Sequence, residues 1–153
     1  MNATKKITFA IIATCLFAVN SIGQTSLNVY PLNNSFGLKF LSDKKISPEV
    51  RLDFQVDMAN GESNIYINPE LFGLYNFIRE DQFQLYTGLG LGGNIYNQAS
   101  SNFCGTLPLG GTYYFASNKR FALVGECGVK LTASDNTKLK SYALVGFQIR
   151  LGK

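Results

Sequence analysis

Glu49 to Phe72 reads EVRLDFQVDMANGESNIYINPELF, two alternating halves that meet at Asn60-Gly61. Asn-Gly between alternating runs is the strongest short-range hairpin signal, because both residues accept the positive φ that a type I′ turn requires. So tight a turn fixes the register. It sets Val56 opposite Ile65, Phe54 opposite Ile67 and Val50 opposite Leu71 on one face. On the other face Asp57 meets Asn64, Gln55 meets Tyr66, Asp53 meets Asn68 and Arg51 meets Glu70. The first face is apolar. The second carries Arg51 across from Glu70, an opposite-charge pair of the kind that stabilises a ladder. Whether the apolar face meets a protein core or a lipid phase decides the class of the molecule.

The rest of the 153-residue chain bears on that choice. Length and a 46% hydrophobic content suit one folded domain, but only 16% of residues are charged. A soluble domain carries nearer about 25%, so the deficit points to an outer surface that largely avoids water. Met1 to Gln24 reads as an address: Lys5 and Lys6 precede an apolar run from Ile7 to Val19, and Ser21-Ile22-Gly23 supplies small residues for signal peptidase. Cleavage is expected after Gly23, dividing the chain into a signal peptide, 1–23, and a single domain, 24–153. The run is too short for a transmembrane helix, which takes roughly 20 residues. Thr14 before Cys15 is a poor lipobox. Without Lys5 and Lys6 the net charge falls from +4 to +2 (14 − 2 basic against 10 acidic residues). That balance, with no long run of one sign, gives no nucleic-acid surface.

Beyond the address, alternating runs separated by short polar turns predict eight strands, at about 25–31, 35–42, 48–58, 63–78, 82–96, 102–116, 119–132 and 138–152. One parity collects apolar residues, among them Leu38, Leu52, Leu89, Leu109, Leu123 and Val145. The other collects Gly and Tyr with few charges, in which Lys39, Arg51, Lys130 and Arg150 balance Asp53, Asp57, Glu70 and Glu126. Period two alone does not say which face is inside. A solvent face would be rich in Lys, Glu, Ser and Thr; a sparse, sign-matched, Gly-rich face suits the filled interior of a narrow barrel, where ions must be paired. In the fourth strand Phe72, Leu74 and Ile78 fall on the polar parity, which predicts a bulge near Pro69 or a local apolar patch. Phe40, Tyr75, Phe77, Phe83, Tyr113, Phe115 and Phe121 cluster near one set of turns on the apolar parity, where an interfacial girdle belongs. Cys104 and Cys127 fall on opposite parities, which argues against a disulfide.

The sequence offers little chemistry. It contains no His, which removes Ser-His and Cys-His catalysis and the common metal-ligand sets. The run GLGLGG at 88–93 lies inside an alternating stretch and opens no helix, so it is not a dinucleotide loop. Glu70 and Glu126 each have a cation on their own face, Arg51 and Lys130 respectively, so structural pairing is expected of them rather than acid–base work. No catalytic, cofactor-binding or metal-ligating residue is expected, and no enzymatic activity.

The signal segment, the up-and-down alternation, FQLYTGLGLGGNIY at 83–96, LPLGGTYYFASNKRFALVGECGVKL at 107–131 and the closing YALVGFQIRLGK together resemble the small outer-membrane β-barrel proteins of Gram-negative bacteria. The resemblance implies an all-β, antiparallel up-and-down transmembrane barrel of about eight strands in the bacterial outer membrane, in contact with its lipid. It also implies a last strand read by the barrel-assembly machinery: Gly146, Ile149 and Leu151 match the spacing, and Leu-Gly-Lys stands where that family usually ends in an aromatic. The expected role is structural or surface-interacting. The competing expectation is a secreted or periplasmic soluble barrel that holds a small apolar ligand.

Overall fold

Alternation of period two can form a strand but cannot by itself dispose of the strand's free edges, and here the chain disposes of them by closing on itself. In the computed structural model the described residues are 24–41, 45–59, 62–94, 102–115, 119–133 and 137–151, without the side chains of 55–59, 62–66, 94 and 102. The expected signal peptide, the Asn60-Gly61 turn and the Asp57 side chain lie outside them. Eight strands follow in order: β1 (Thr25–Tyr30), β2 (Ser35–Phe40), β3 (Ile46–Ala59), β4 (Glu62–Arg79), β5 (Phe83–Asn94), β6 (Asn102–Tyr114), β7 (Phe121–Ala133) and β8 (Lys138–Leu151). Each end falls within two residues of the sequence reading. Every strand pairs antiparallel with the next, and β1 pairs with β8 from Thr25 opposite Leu151 to Val29 opposite Phe147, closing the barrel. Closure removes the unpaired edges through which open sheets aggregate.

The β3–β4 hairpin has the register that a two-residue turn at 60–61 dictates: Ala59 faces Glu62, Phe54 faces Ile67, Arg51 faces Glu70 and Val50 faces Leu71. The β1–β2 connection is a single 3₁₀ turn, Pro31–Asn33, closed by Asn34 at φ 49°. Asn is among the few non-glycine residues that occupy this left-handed region readily.

The two faces are inverted relative to a water-soluble domain. Among the described residues, fourteen polar or charged residues are buried against ten hydrophobic ones, whereas twenty-five large hydrophobic side chains are exposed. Leu89, Leu107, Leu109, Phe121, Val145 and Phe147 each expose more than half of their surface, while Lys39, Glu49, Arg51 and Gln148 on the other parity expose 2% or less.

The fourth strand resolves in a way that its sequence left open. Phe72 and Leu74 point inward and form an apolar cluster with Tyr86. A register shift between Asn76 and Ile78 then inserts Phe77 as an extra residue, so that Ile78 faces Leu85 on the outer side. The irregularity is therefore at Phe77, not near Pro69: Pro69 keeps its ladder position opposite Leu52. Of the expected outward aromatics, Tyr75, Phe77, Tyr113, Phe115 and Phe121 are exposed and Phe83 is half-buried. Phe40, at the end of the short β2, is buried instead, at 5% exposure.

Candidate functional site

The inward faces of all eight strands converge on one polar interior, and its construction starts from glycine. Large inward side chains each lie over a glycine of the neighbouring strand: Leu74 over Gly88, Phe72 over Gly90, Glu70 over Gly92, Tyr86 over Gly110, Tyr142 over Gly128 and Tyr30 over Gly146. A Cβ at any of these glycines would overlap the side chain or the backbone beside it. The GLGLGG run is thus a row of floor tiles: Gly88, Gly90 and Gly92 stand directly opposite Leu74, Phe72 and Glu70. The absence of three side chains on β5 is what lets a narrow barrel hold three large ones from β4.

At mid-barrel the arrangement centres on Arg51. Its guanidinium donates to both oxygens of Glu126, from Nη1 at 2.7 Å and Nη2 at 3.0 Å, and its Nε donates to Glu49 Oε1 at 3.2 Å. Its plane lies 4.3 Å from the Phe72 ring centroid and 5.0 Å from that of Tyr30. Glu126 also accepts hydrogen bonds from the hydroxyls of Tyr86 and Tyr142, each at 2.9 Å. The forked donor meets a planar carboxylate in the bidentate geometry that Arg favours, and two tyrosines occupy its remaining acceptor capacity. Such a network tolerates burial because the Arg51 charge is matched by carboxylates and both oxygens of Glu126 are hydrogen-bonded, although Glu49 Oε2 and the Tyr30 hydroxyl have no partner among the described atoms. The Lys39 ammonium sits 4.4 Å from the Tyr86 ring centroid in the same region.

A second group lies toward the β3–β4 turn. Lys130 pairs with Glu70 and stands 3.7 Å from Asp53 Oδ2. Thr106 donates to Glu70 Oε2 at 2.9 Å, and the Ser35 hydroxyl bonds Asp53. Above this group is a cavity of about 190 Å³, lined by Asp53, Glu70, Thr106, Lys130, Lys140, Ser141 and Tyr142, with Arg51 and Phe72 among its floor residues. Toward the opposite end, Gln148 Nε2 donates to Tyr114 Oη at 3.2 Å, and the Arg150 guanidinium lies 5.4 Å from the Tyr114 ring.

The charged residues picked out by parity, Lys39, Arg51, Asp53, Glu70, Glu126, Lys130 and Arg150, therefore all lie on the inward parity, and Asp57 falls among the side chains outside the description. Their pairing needs a correction. Arg51 is the ladder partner of Glu70, yet it pairs with Glu126 and Glu49; Glu70 is taken by Lys130, the cation expected for Glu126. In a closed barrel of eight strands, inward side chains reach across the lumen, and a long Arg finds a better bidentate geometry on β7 than on the strand beside it. Glu49 escaped notice, although it shares the parity of Arg51 and Asp53 and is wholly buried. Tyr30 and Tyr142 were legible by the same rule. With Glu49, the inward carboxylates among the described residues are Glu49, Asp53, Glu70 and Glu126, and the inward cations include Lys39, Arg51, Lys130, Arg150 and, toward the end of β8 that carries the cavity, Lys140.

Cys104 is buried and Cys127 is exposed, and neither forms a disulfide. Among the described residues no group of His, Cys, Asp or Glu is placed to hold a metal ion. No protein-family model, curated protein or solved structure matches this chain.

Proposed function

We propose that this protein is an integral outer-membrane β-barrel whose work is done by its envelope-spanning body and its short external turns, and that it performs no catalysis. The carrying observation is the apolar exterior beside an ion-paired interior. In water, each large side chain left half-exposed forgoes roughly 1 kcal/mol, since full burial is worth about 1.5–3 kcal/mol. Soluble monomers rarely expose contiguous apolar patches beyond a few hundred Å². The height of the band supports the same reading. Ten residue steps from Phe103 to Tyr113 on β6, at about 3.3 Å each and tilted by about 40°, span roughly 25 Å, which matches the apolar belt of outer-membrane barrels. Exposed Tyr75, Phe77, Tyr113, Phe115 and Phe121 sit near the end that carries the turns at 80–82 and 116–120. With Lys45 over the Tyr75 ring at 6.0 Å, they have the make-up of an interfacial girdle.

On this reading the start of β1 and the strand ends between β2 and β3, β4 and β5, and β6 and β7 face the periplasm, and those between β1 and β2, β3 and β4, β5 and β6, and β7 and β8 face outward. Outer-membrane lipid is then the principal partner, and the barrel-assembly machinery the partner during insertion. The soluble alternative, a barrel holding an apolar ligand, calls for an apolar lumen; the lumen here is filled by Arg51, Glu49, Glu126 and tyrosines. That filling is in keeping with the narrow bore of eight strands.

Cell fractionation with gel mobility before and after heating tests the proposal. The mature protein is expected in the detergent-soluble outer-membrane fraction, with a band that shifts on boiling. Recovery from the periplasm without detergent would refute it.

A further inference from the structure

The polar cavity at the β3–β4-turn end does more than complete the packing. It is about 190 Å³, the liquid volume of roughly six waters, and its walls carry charges of opposite sign. β3 and β4 supply Asp53 and Glu70; β7 and β8, on the far side of the barrel, supply Lys130 and Lys140. The cations are not equally engaged. Lys130 reaches across to both carboxylates, so that one ammonium is shared between Glu70 and Asp53. Lys140 is the ladder partner of Lys130, a like-charge pair of the kind that destabilises a sheet. It is exposed at the cavity rim, and no carboxylate stands within ion-pair distance of it among the described residues. Arg51, deeper in the barrel, is held by Glu126 and Glu49. Among the described side chains that line the cavity, the two carboxylates Asp53 and Glu70 stand on one wall and the two ammonium groups of Lys130 and Lys140 on the other.

We infer that this cavity is a binding site for a small zwitterion of amino-acid size. Its anionic group, a carboxylate, sulfonate or phosphate, pairs with Lys140. Its ammonium lies toward Asp53, which keeps acceptor capacity because its contact with Lys130 is long, at 3.7 Å. A ligand with one charge of each sign neutralises both walls and relieves the Lys130–Lys140 opposition. An anion alone would leave the carboxylate wall uncompensated. The inference does not depend on where the barrel resides.

The test uses the mature protein folded in detergent micelles, with backbone amide shifts followed during titration. β-Alanine is the zwitterionic probe, and acetate and methylammonium are the single-charge controls. β-Alanine is expected to saturate shifts at residues lining the cavity and to bind at least about tenfold more tightly than either control. Lys140→Met is expected to weaken β-alanine at least about tenfold. Lys138→Met, an exposed change on the same strand, is expected to leave binding intact and so reports whether loss in the first variant is specific. Absence of saturable shifts, acetate binding as tightly as β-alanine, or unchanged binding in Lys140→Met would each overturn the assignment.

Discussion

Replacing Arg51 by Met should be among the most damaging single changes in the protein, and the damage should be electrostatic. Met retains a long apolar stem and a polarizable sulfur that packs well against the rings of Phe72 and Tyr30, where the guanidinium now lies at 4.3 and 5.0 Å. What disappears is the positive charge between two buried carboxylates. Glu126 keeps two tyrosine hydroxyls, but Glu49 Oε1 loses its donor and Oε2 has no partner among the described atoms. Removing one partner of a buried pair costs about 3–5 kcal/mol, because the other charge is left uncompensated. With two carboxylates stranded in one layer, the upper part of that range is expected. The triple variant Arg51→Met, Glu49→Gln, Glu126→Gln removes the stranded charges as well. Neutralising a whole buried ionic group is often close to neutral for stability, so the triple variant should be more stable than the single one. Urea unfolding of the barrel in lipid vesicles gives the numbers, with the folded fraction read from the heat-shifted band and the slope compared between variants. Glu126→Gln, which leaves Arg51 its Glu49 contact, should fold in any case and lose less than Arg51→Met. A cost for Arg51→Met below about 1 kcal/mol, or a triple variant no better than the single, would refute an interior held by paired charge.

Other perturbations probe the remaining parts of the structure. Leu109→Arg, on the outer face at mid-strand with 52% exposure, should cost about 2–4 kcal/mol in vesicles if that face meets lipid; a change within about 0.5 kcal/mol, as at an ordinary wet surface, would contradict the proposed environment. Gly110→Ala places a methyl against the Tyr86 ring, which its bond to Glu126 holds in place, and should destabilise by about 1–3 kcal/mol. Gly125→Ala meets nothing within 4 Å and should be tolerated; equal effects in the same urea titration would argue against the tiled interior. In the folded barrel a water-soluble maleimide should spare both buried Cys104 and Cys127, whose outer-face position opposite Leu109 lies in lipid on the proposed reading, and should modify both once urea unfolds the protein, with mass spectrometry assigning the sites. Reductant should leave gel mobility unchanged.

Much of this architecture could be read without coordinates, because it rests on local rules. Strand periodicity is a property of neighbouring residues, so all eight strands and the two parities follow from the order of apolar and polar side chains. The Asn60-Gly61 signal carried the β3–β4 register from Ala59–Glu62 to Arg51–Glu70, since a two-residue turn leaves no freedom to slip. The same parity contained Glu49, Tyr30 and Tyr142. What the chain order could not provide was the partner of each charge. Glu126 lies 75 positions from Arg51, and Lys130 lies 60 from Glu70. Those distances vanish only when β1 meets β8 and facing walls come within side-chain reach. The inward Phe72–Leu74–Tyr86 cluster likewise depends on a neighbouring strand, because Leu74 and Phe72 fill the space left by Gly88 and Gly90 on β5. In EVRLDFQVDMANGESNIYINPELF the sequence determined who stands opposite whom along the ladder. Closure of the barrel decided that Arg51 and Glu70, standing opposite each other, bind elsewhere.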